Sequence, residues 1–344
     1  MRAWRVYDVN DMRLEEIPVP AVRPGWALVR VKGFQPSITE IQRFWGTSKR
    51  GIEKMRQLIR EIGPFPMGHE ICGEVVEAPA DSGFRAGDRV AYFHYSTGHI
   101  AGSHYPGCFA EAVLLPVQAI AKVDSTIPDL EIPALQPLSS CVQLVREAKI
   151  QLGETAAIFG QGVMGLNITQ LCRLAGAGRV IGIDVREQCL KMSRELGADV
   201  TINATKEDPV QAILDLTEGR GADVVFECAS GSPEVGLSGG KTLFQAIDSV
   251  RLSGRLVQIA FYHDDVTLDL NSLRGKRIKY IFPDEASLDV MAVGSRLVAD
   301  GKVRFQPYLT HVLQGLEKLP EAFEITAHKA KHGAINPAVV MLDT

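Results

Sequence analysis

The sequence predicts an α/β protein of two domains, one β-rich and one built on a doubly wound parallel sheet. Three observations carry this. A glycine-rich turn framed by two apolar runs lies near the middle of the chain, at Ala156–Arg186. Strand-like and helix-like segments alternate after residue 150, the pattern of a parallel sheet. Before that point the runs are short, alternate polar and apolar residues, and are broken by glycine and proline. A length of 344 residues suits two domains.

Taken in order, Ala3–Tyr7 and Trp26–Val31 alternate in the manner of short antiparallel strands, interrupted by Pro18, Pro20 and Pro24. Between Gly46 and Gly68, Ile52, Met55 and Ile59 follow helical spacing. The opposite side of that segment carries Lys49, Arg50, Lys54, Arg56 and Arg60 against Glu53 and Glu61, a basic face that is solvated or gathers an anionic substrate. From Gly68 the text Gly-His-Glu-Ile-Cys-Gly-Glu-Val-Val-Glu, then Gly87-Asp88-Arg89-Val90, then Gly107–Val113 predicts further strands joined by glycine turns.

The central turn begins after the apolar run Ala156–Phe159. Gly160, Gly162 and Gly165 stand in the order GxGxxG, with Val163 and Met164 between the last two. An amphipathic stretch to Ala177 and a second apolar run, Val180–Ile183, lead to Asp184. This is strand, turn, helix, strand. The glycines allow the tight turn, the approach of a pyrophosphate and close helix–strand packing, and the helix start supplies N–H donors to phosphates. Asp184, nineteen residues after Gly165, is placed to hold the hydroxyls of an adenosine ribose. That favours NAD over NADP; Arg186, two residues on, is the residue that could turn towards a 2′-phosphate. Helices are then expected over Arg186–Leu196, Val210–Leu216 and Gln245–Leu252. Strands are expected over Val200–Ile202, Ala222–Cys228, Arg255–Ala260 and Ile278–Phe282.

Composition narrows the class. The charged fraction is 23% and the net charge −4, which argues against nucleic acid as a partner. No apolar run reaches the roughly twenty residues of a membrane helix, and Met1–Arg5 has no signal-peptide character, so a cytoplasmic protein is expected. The six cysteines are scattered and form no CxxC, as expected of free thiols in a reducing compartment. His94, His99, His104 and Cys108 are regularly spaced on a glycine- and serine-rich loop, but match no standard metal spacing and are expected to be solvated or to line a cleft.

Gly68-His69-Glu70 with Gly73, Gly87-Asp88-Arg89-Val90, Gly107–Val113, Gln136-Pro137-Leu138 and the nucleotide turn follow one another in a single order. In this the chain resembles the medium-chain dehydrogenase/reductase superfamily, in its zinc alcohol and polyol dehydrogenase branch. The resemblance covers essentially the whole chain. It implies a GroES-like catalytic domain over residues 1–150 and 285–344, a Rossmann cofactor domain over 151–284, a homodimer or dimer of dimers paired through the strand at Ile278–Phe282, and hydride transfer between NAD(H) and a small alcohol or carbonyl.

The resemblance also implies a site. Carried across, the early cysteine ligand of the zinc enzymes falls on Ser37, the histidine ligand on His69, the neighbouring glutamate on Glu70 and the late ligand on Gln136. A neutral hydroxyl and a neutral amide are poor zinc donors. His69 and Glu70 are therefore either the two remaining ligands of a zinc or a pair retained for packing and hydrogen bonding, and the donor set favours the second. The structural zinc lobe of four close cysteines is absent from the sequence. Thr39 matches the proton-relaying hydroxyl and Glu40 the acid beside it, so Ser37, Thr39, Glu40 and His69 are the candidate catalytic residues, able to protonate a carbonyl oxygen without a metal. Two rival readings remain: a zinc-free enone or quinone reductase, against which the retained Gly-His-Glu weighs, and a non-catalytic NAD(H)-binding sensor.

Overall fold

A computed structural model describes residues 1–93, 99–229, 240–262, 265–282 and 288–342. They form two compact units. One comprises Met1–Ser139, Glu285–Gly301 and Phe305–Thr344; the other comprises Ser140–Asp284 and Lys302–Arg304. The division falls at Ser139/Ser140, earlier than the residue-150 boundary expected from sequence. Lys149 and Gly153, both at positive φ, punctuate the end of a helix, whereas the packing divides within it.

The first unit opens with a hairpin, β1 (Arg2–Asp8) and β2 (Asp11–Glu16), turned at Asn10 with φ 58°. β3 (Trp26–Gln35) follows, then α1 (Ile38–Phe44) and α2 (Lys49–Ile62). Next come β4 (Phe65–Pro66), β5 (Glu70–Glu77), β6 (Arg89–Tyr92), β7 (Ala112–Pro116), β8 (Ile120–Lys122) and α3 (Leu135–Ala148). α2 is the amphipathic helix the spacing predicts. Its deepest anchors are Met55 and Leu58, with Ile52 and Ile59 only half-buried. Each buried anchor contributes on the order of 1.5–3 kcal/mol. Arg56 on its polar face pairs with Asp8 at 2.8 Å, so that charge is used within the fold.

The second unit alternates as the sequence predicts: β9 (Thr155–Phe159), α4 (Val163–Leu174), β10 (Arg179–Asp184), α5 (Glu187–Glu195), β11 (Val200–Asn203), α6 (Pro209–Leu216), β12 (Ala222–Glu227), α7 (Lys241–Ser249), β13 (Val250–Gln258), α8 (Leu270–Lys276) and β14 (Lys279–Ile281). Helix α7 corrects the expected Gln245–Leu252. The Ser249 hydroxyl donates back to the Gln245 carbonyl at the last turn, and the β-branched, 1% exposed Val250 starts a strand instead. The six strands form one parallel sheet in the order β11-β10-β9-β12-β13-β14. The order reverses between β9 and β12, the switch point where such sheets bind ligands at their carboxyl ends. The core of this unit holds Ala157, Phe159, Ile181, Ile183, Val225 and Leu256.

The chain then completes the first unit with α9 (Asp289–Ala299), β15 (Val312–Gln314), α10 (Leu319–Ala327), α11 (Lys329–His332) and β16 (Val339–Met341). Its main sheet runs β15-β16-β3-β5-β6-β8, with β7 also on β3. Two registers position the candidate site: Gln35 of β3 lies opposite Glu70 of β5, and Val340 of β16 lies opposite Phe34. Phe34, Phe65, Phe109 and Phe323 are in the core beneath them. Among the described residues no helix is long and apolar enough to cross a membrane.

Candidate active site and cofactor site

β3 ends at Gln35 and the chain turns into α1 through Ser37, an N-cap in extended conformation. The capping box is complete. The Ser37 hydroxyl accepts the Glu40 N–H at 3.3 Å, and Glu40 Oε2 accepts the Ser37 N–H at 2.8 Å. The Ser37 and Thr39 hydroxyls bond each other at 2.9 Å. The other Glu40 oxygen lies 2.7 Å from His69 Nδ1. His69 Nε2 lies 4.0 Å from Glu70 Oε1. Glu70 Oε2 accepts from the Gln35 amide at 2.6 Å, and Gln35 Oε1 accepts from Asn336 at 2.8 Å. Ser37, Thr39, Glu40, His69 and Glu70 thus form one contiguous cluster inside the first unit.

Its electrostatics follow from burial. Burial pushes the Glu70 carboxyl up to about 7; His69 opposes the push, Glu40 adds to it, and the Gln35 hydrogen bond opposes it again. Burial works against the charged form of His69, but the charge and hydrogen bond of Glu40 outweigh it, and the imidazole is held above its ordinary value. The Glu40 bond favours a proton on Nδ1, so it is Nε2 that gains or loses a proton when the ring changes charge.

The donors do not fit a tightly held zinc. The Ser37 hydroxyl, both Glu40 oxygens and His69 Nδ1 are committed to one another. The neutral Ser37 hydroxyl and Gln136 amide are weak zinc donors, so His69 and Glu70 are the two strong donors at the matched positions, fewer than the three protein ligands of a catalytic zinc. Among the described residues no three His, Cys, Asp or Glu side chains are grouped to hold an ion. Gln136 is buried near the start of α3. Of the regularly spaced histidines, His94 lies outside the described residues. His99 and His104 meet edge to face at 5.2 Å, and His104 Nδ1 accepts the Ile100 N–H at 2.9 Å, which closes the loop on itself. Cys108 is wholly buried; a Cβ on Gly68 would meet its sulfur at 2.8 Å.

The second unit carries the nucleotide turn. Gly160 has φ 88°, and a Cβ there would meet the Ala229 nitrogen at 2.8 Å. A Cβ on Gly165 would stand 1.8 Å from the Gly160 carbonyl oxygen, so helix α4 and the turn touch only because Gly165 carries no side chain. A Cβ on Gly162 would meet nothing, and no side chain caps α4 there. The N–H groups of Val163 and Met164, at the first two helical positions, have no carbonyl within the helix to bond. An open helix start with this space fits the phosphates of a dinucleotide. Asp184 closes the arrangement: Oδ2 accepts the Gln161 N–H at 2.7 Å and Oδ1 the Arg186 N–H at 2.8 Å, while the Arg186 guanidinium lies 3.9 Å away.

Sequence reasoning missed four residues. Gln35 and Asn336 support Glu70. Arg43 of α1 donates to the Gly102 carbonyl at 2.8 Å and to Ser103, tying the histidine loop to the site helix. Gln161, 0% exposed, anchors the turn through the Ile158 carbonyl at 3.1 Å and the Thr169 hydroxyl at 3.0 Å. The available signal was polarity inside apolar text, as in Gly33-Phe34-Gln35 and Ile335-Asn336-Pro337, because a buried polar group needs a partner.

The family model for the alcohol dehydrogenase GroES-like domain matches residues 23–125, and that for zinc-binding dehydrogenases matches residues 163–283. L-threonine 3-dehydrogenase of Pyrococcus horikoshii is 30% identical over 333 residues, covering 91% of each chain. The chain is a zinc-type medium-chain dehydrogenase/reductase. It is similar too to erythritol/L-threitol dehydrogenase of Mycolicibacterium smegmatis, 29% identical over 315 residues, with 85% of this chain and 82% of that one covered. The fold of this dehydrogenase is shared with a protein of Sinorhizobium meliloti 1021 described as a zinc-binding dehydrogenase and solved bound to NADP. The TM-score is 0.81 at 24% identity, covering 100% of this chain and 99% of that one. The enzyme is an oxidoreductase that acts on CH–OH groups with a nicotinamide cofactor.

Proposed function

We propose that this enzyme interconverts a small polar secondary alcohol and its carbonyl with NAD(H), using His69 for proton transfer and no tightly bound catalytic zinc. The observation that carries this reading is the set of hydrogen bonds that joins Thr39 to Ser37, Ser37 to Glu40 and Glu40 to His69. A bound nicotinamide would supply the hydride acceptor for oxidation of the carbinol carbon. The hydroxyl proton leaves to the His69 imidazole. In reduction the raised pKa of His69 keeps a proton available for the carbonyl oxygen. Glu40 orients the ring and stabilises the imidazolium.

The threonine and erythritol/threitol activities of the relatives support a substrate with a second polar group beside the reacting carbon. The basic face of α2 supports an anionic one. Asp184 supports NAD over NADP, since its carboxylate would repel a 2′-phosphate. The domain roles follow: a catalytic domain at 1–150 and 285–344, a cofactor domain at 151–284, and a dimer joined at β14. All six cysteines are free, which supports a reducing, cytoplasmic setting. The deciding experiment is NAD+ reduction over a panel of amino alcohols, polyols and simple alcohols. Turnover that Glu40→Gln and His69→Ala suppress supports the reading. Turnover confined to conjugated enones, or none despite NADH binding, overturns it.

A further inference from the structure

Glu227, the last residue of β12, has no part in the chemistry above. Its carboxyl is 0% exposed. Oε1 accepts the Ala229 N–H at 3.2 Å. Oε2 is buried and, among the described residues, has no hydrogen-bond partner in good geometry. The hydroxyl of the neighbouring Tyr262 is buried and equally unmatched; it lies near enough to favour the carboxylate without reaching good geometry. Glu227 is in register with Phe159, the residue before Gly160. The next two residues form the wall of the glycine turn: the Cys228 N–H bonds the Phe159 carbonyl at 2.8 Å, and Ala229 is the backbone that a side chain at Gly160 would strike.

A carboxyl is thus buried at the switch point between β9 and β12, where a dinucleotide crosses the sheet. Asp184, on the β10 side of β9, is placed for the adenosine half. The β12 side is left for the nicotinamide half. The two redox forms differ there by one charge, since the ring of NAD+ is cationic and that of NADH is neutral. In a dry interior an ionised carboxylate stabilises the cation and leaves the neutral ring little affected, whereas a protonated carboxyl does not discriminate.

We infer that Glu227 sets the preference of the enzyme between the two redox forms of its cofactor: NAD+ binds to the ionised carboxylate and releases its proton, and NADH does not. Burial holds this carboxyl up at about 7, against the pull of Tyr262 and the Ala229 N–H, so both protonation states are populated near neutrality. Among the described residues, the titratable groups that interact with it are Tyr262, Tyr280 of β14 and Cys228, all pushed up by burial and neutral in this range. Glu227 acts here as a specificity-determining residue. The inference rests on nicotinamide-cofactor binding in the second unit.

The test is calorimetric titration of the full-length enzyme with NAD+ and with NADH in two buffers of different ionisation enthalpy, from pH 6 to pH 8. The expected result is proton release on NAD+ binding only. The affinity for NAD+ relative to NADH should tighten about fourfold across this range, the effect of a carboxyl pKa lowered by somewhat under one unit. Glu227→Gln should abolish both the release and the slope. Tyr262→Phe removes a group that favours the carboxylate and should move the midpoint to higher pH, and it carries the test if the glutamine variant does not fold. Equal proton release with both cofactors, undiminished release in Glu227→Gln, or an unmoved midpoint in Tyr262→Phe overturns the inference. If neither cofactor binds, the cofactor reading itself fails, and this inference with it.

Discussion

Glu40 serves two partners with two oxygens: it caps the helix that carries it and it orients His69. Replacing it with glutamine keeps the shape but removes the charge that supports an imidazolium, so kcat should fall about tenfold or more while the NADH Kd stays unchanged. A fall in kcat matched by a proportionate rise in the NADH Kd would count against a role confined to the chemistry. Two strong donors, His69 and Glu70, seldom retain zinc against a chelator. Metal analysis of enzyme purified without added metal should find well under one zinc per chain, and activity should survive chelation. One tightly held zinc whose removal abolishes activity would reverse that reading. Ser37→Cys with Gln136→Glu should raise zinc content, since it supplies a thiolate and a second carboxylate. Glu227 gives a stability prediction of definite sign. Its folded pKa of about 7 lies above the ordinary 4.5, so the folded state holds the proton more tightly. That contribution is intact below about 4.5, is lost as pH rises to about 7, and is constant beyond. Glu227→Gln should remove up to ~3 kcal/mol of the stability lost between pH 4 and pH 8, measured by denaturant midpoints. At this scale the grouping of Ser37, Thr39 and Glu40 with His69 was expected from the resemblance alone, and their hydrogen bonds do bring them together. Gln35, Asn336 and Glu227 were not expected. Asn336 meets Gln35 only because β16 returns beside β3 after some three hundred residues, and nothing local records that pairing.

At the scale of elements the nucleotide turn is the most constrained part of the chain. The Gly165 contact is with backbone, which cannot swing aside. Gly165→Ala should force α4 away from Gly160 and weaken NADH binding at least tenfold, measured by fluorescence titration. A variant that binds NADH normally would show that the helix can shift without loss of the site. The strand–turn–helix–strand pattern was readable because period, glycine placement and the acid at the end of β10 agree. The end of α7 was misplaced because helical spacing continues past Ser249 while the chain does not; burial of Val250 in the sheet outweighs local propensity. The anchor Leu58 in α2 was missed for a related reason, since spacing of Ile52, Met55 and Ile59 fixes a face but not its centre.

At the scale of the molecule the second sheet ends on β14, three residues long, paired on one side with β13 and at the sheet edge on the other among the described residues. The short length limits its use as a template, but its surroundings are apolar: Phe282 is 60% exposed and stacks on Tyr280 at a 4.8 Å centroid distance. An edge of this kind is covered in most proteins. Pairing of β14 with its copy across a two-fold axis would satisfy the free backbone groups of both edges and bury both aromatic pairs at once. The closed symmetry would also limit growth to a dimer at this contact. Light scattering of the unmodified protein should therefore give a dimer or an even multiple of it. Tyr280→Pro removes one backbone N–H and cannot extend a paired edge, so it should shift the population towards smaller species, with NADH binding largely retained because the switch point lies two strands away. A monomer in the unmodified protein, or a variant whose mass is unchanged at low concentration, would place the interface elsewhere or remove it.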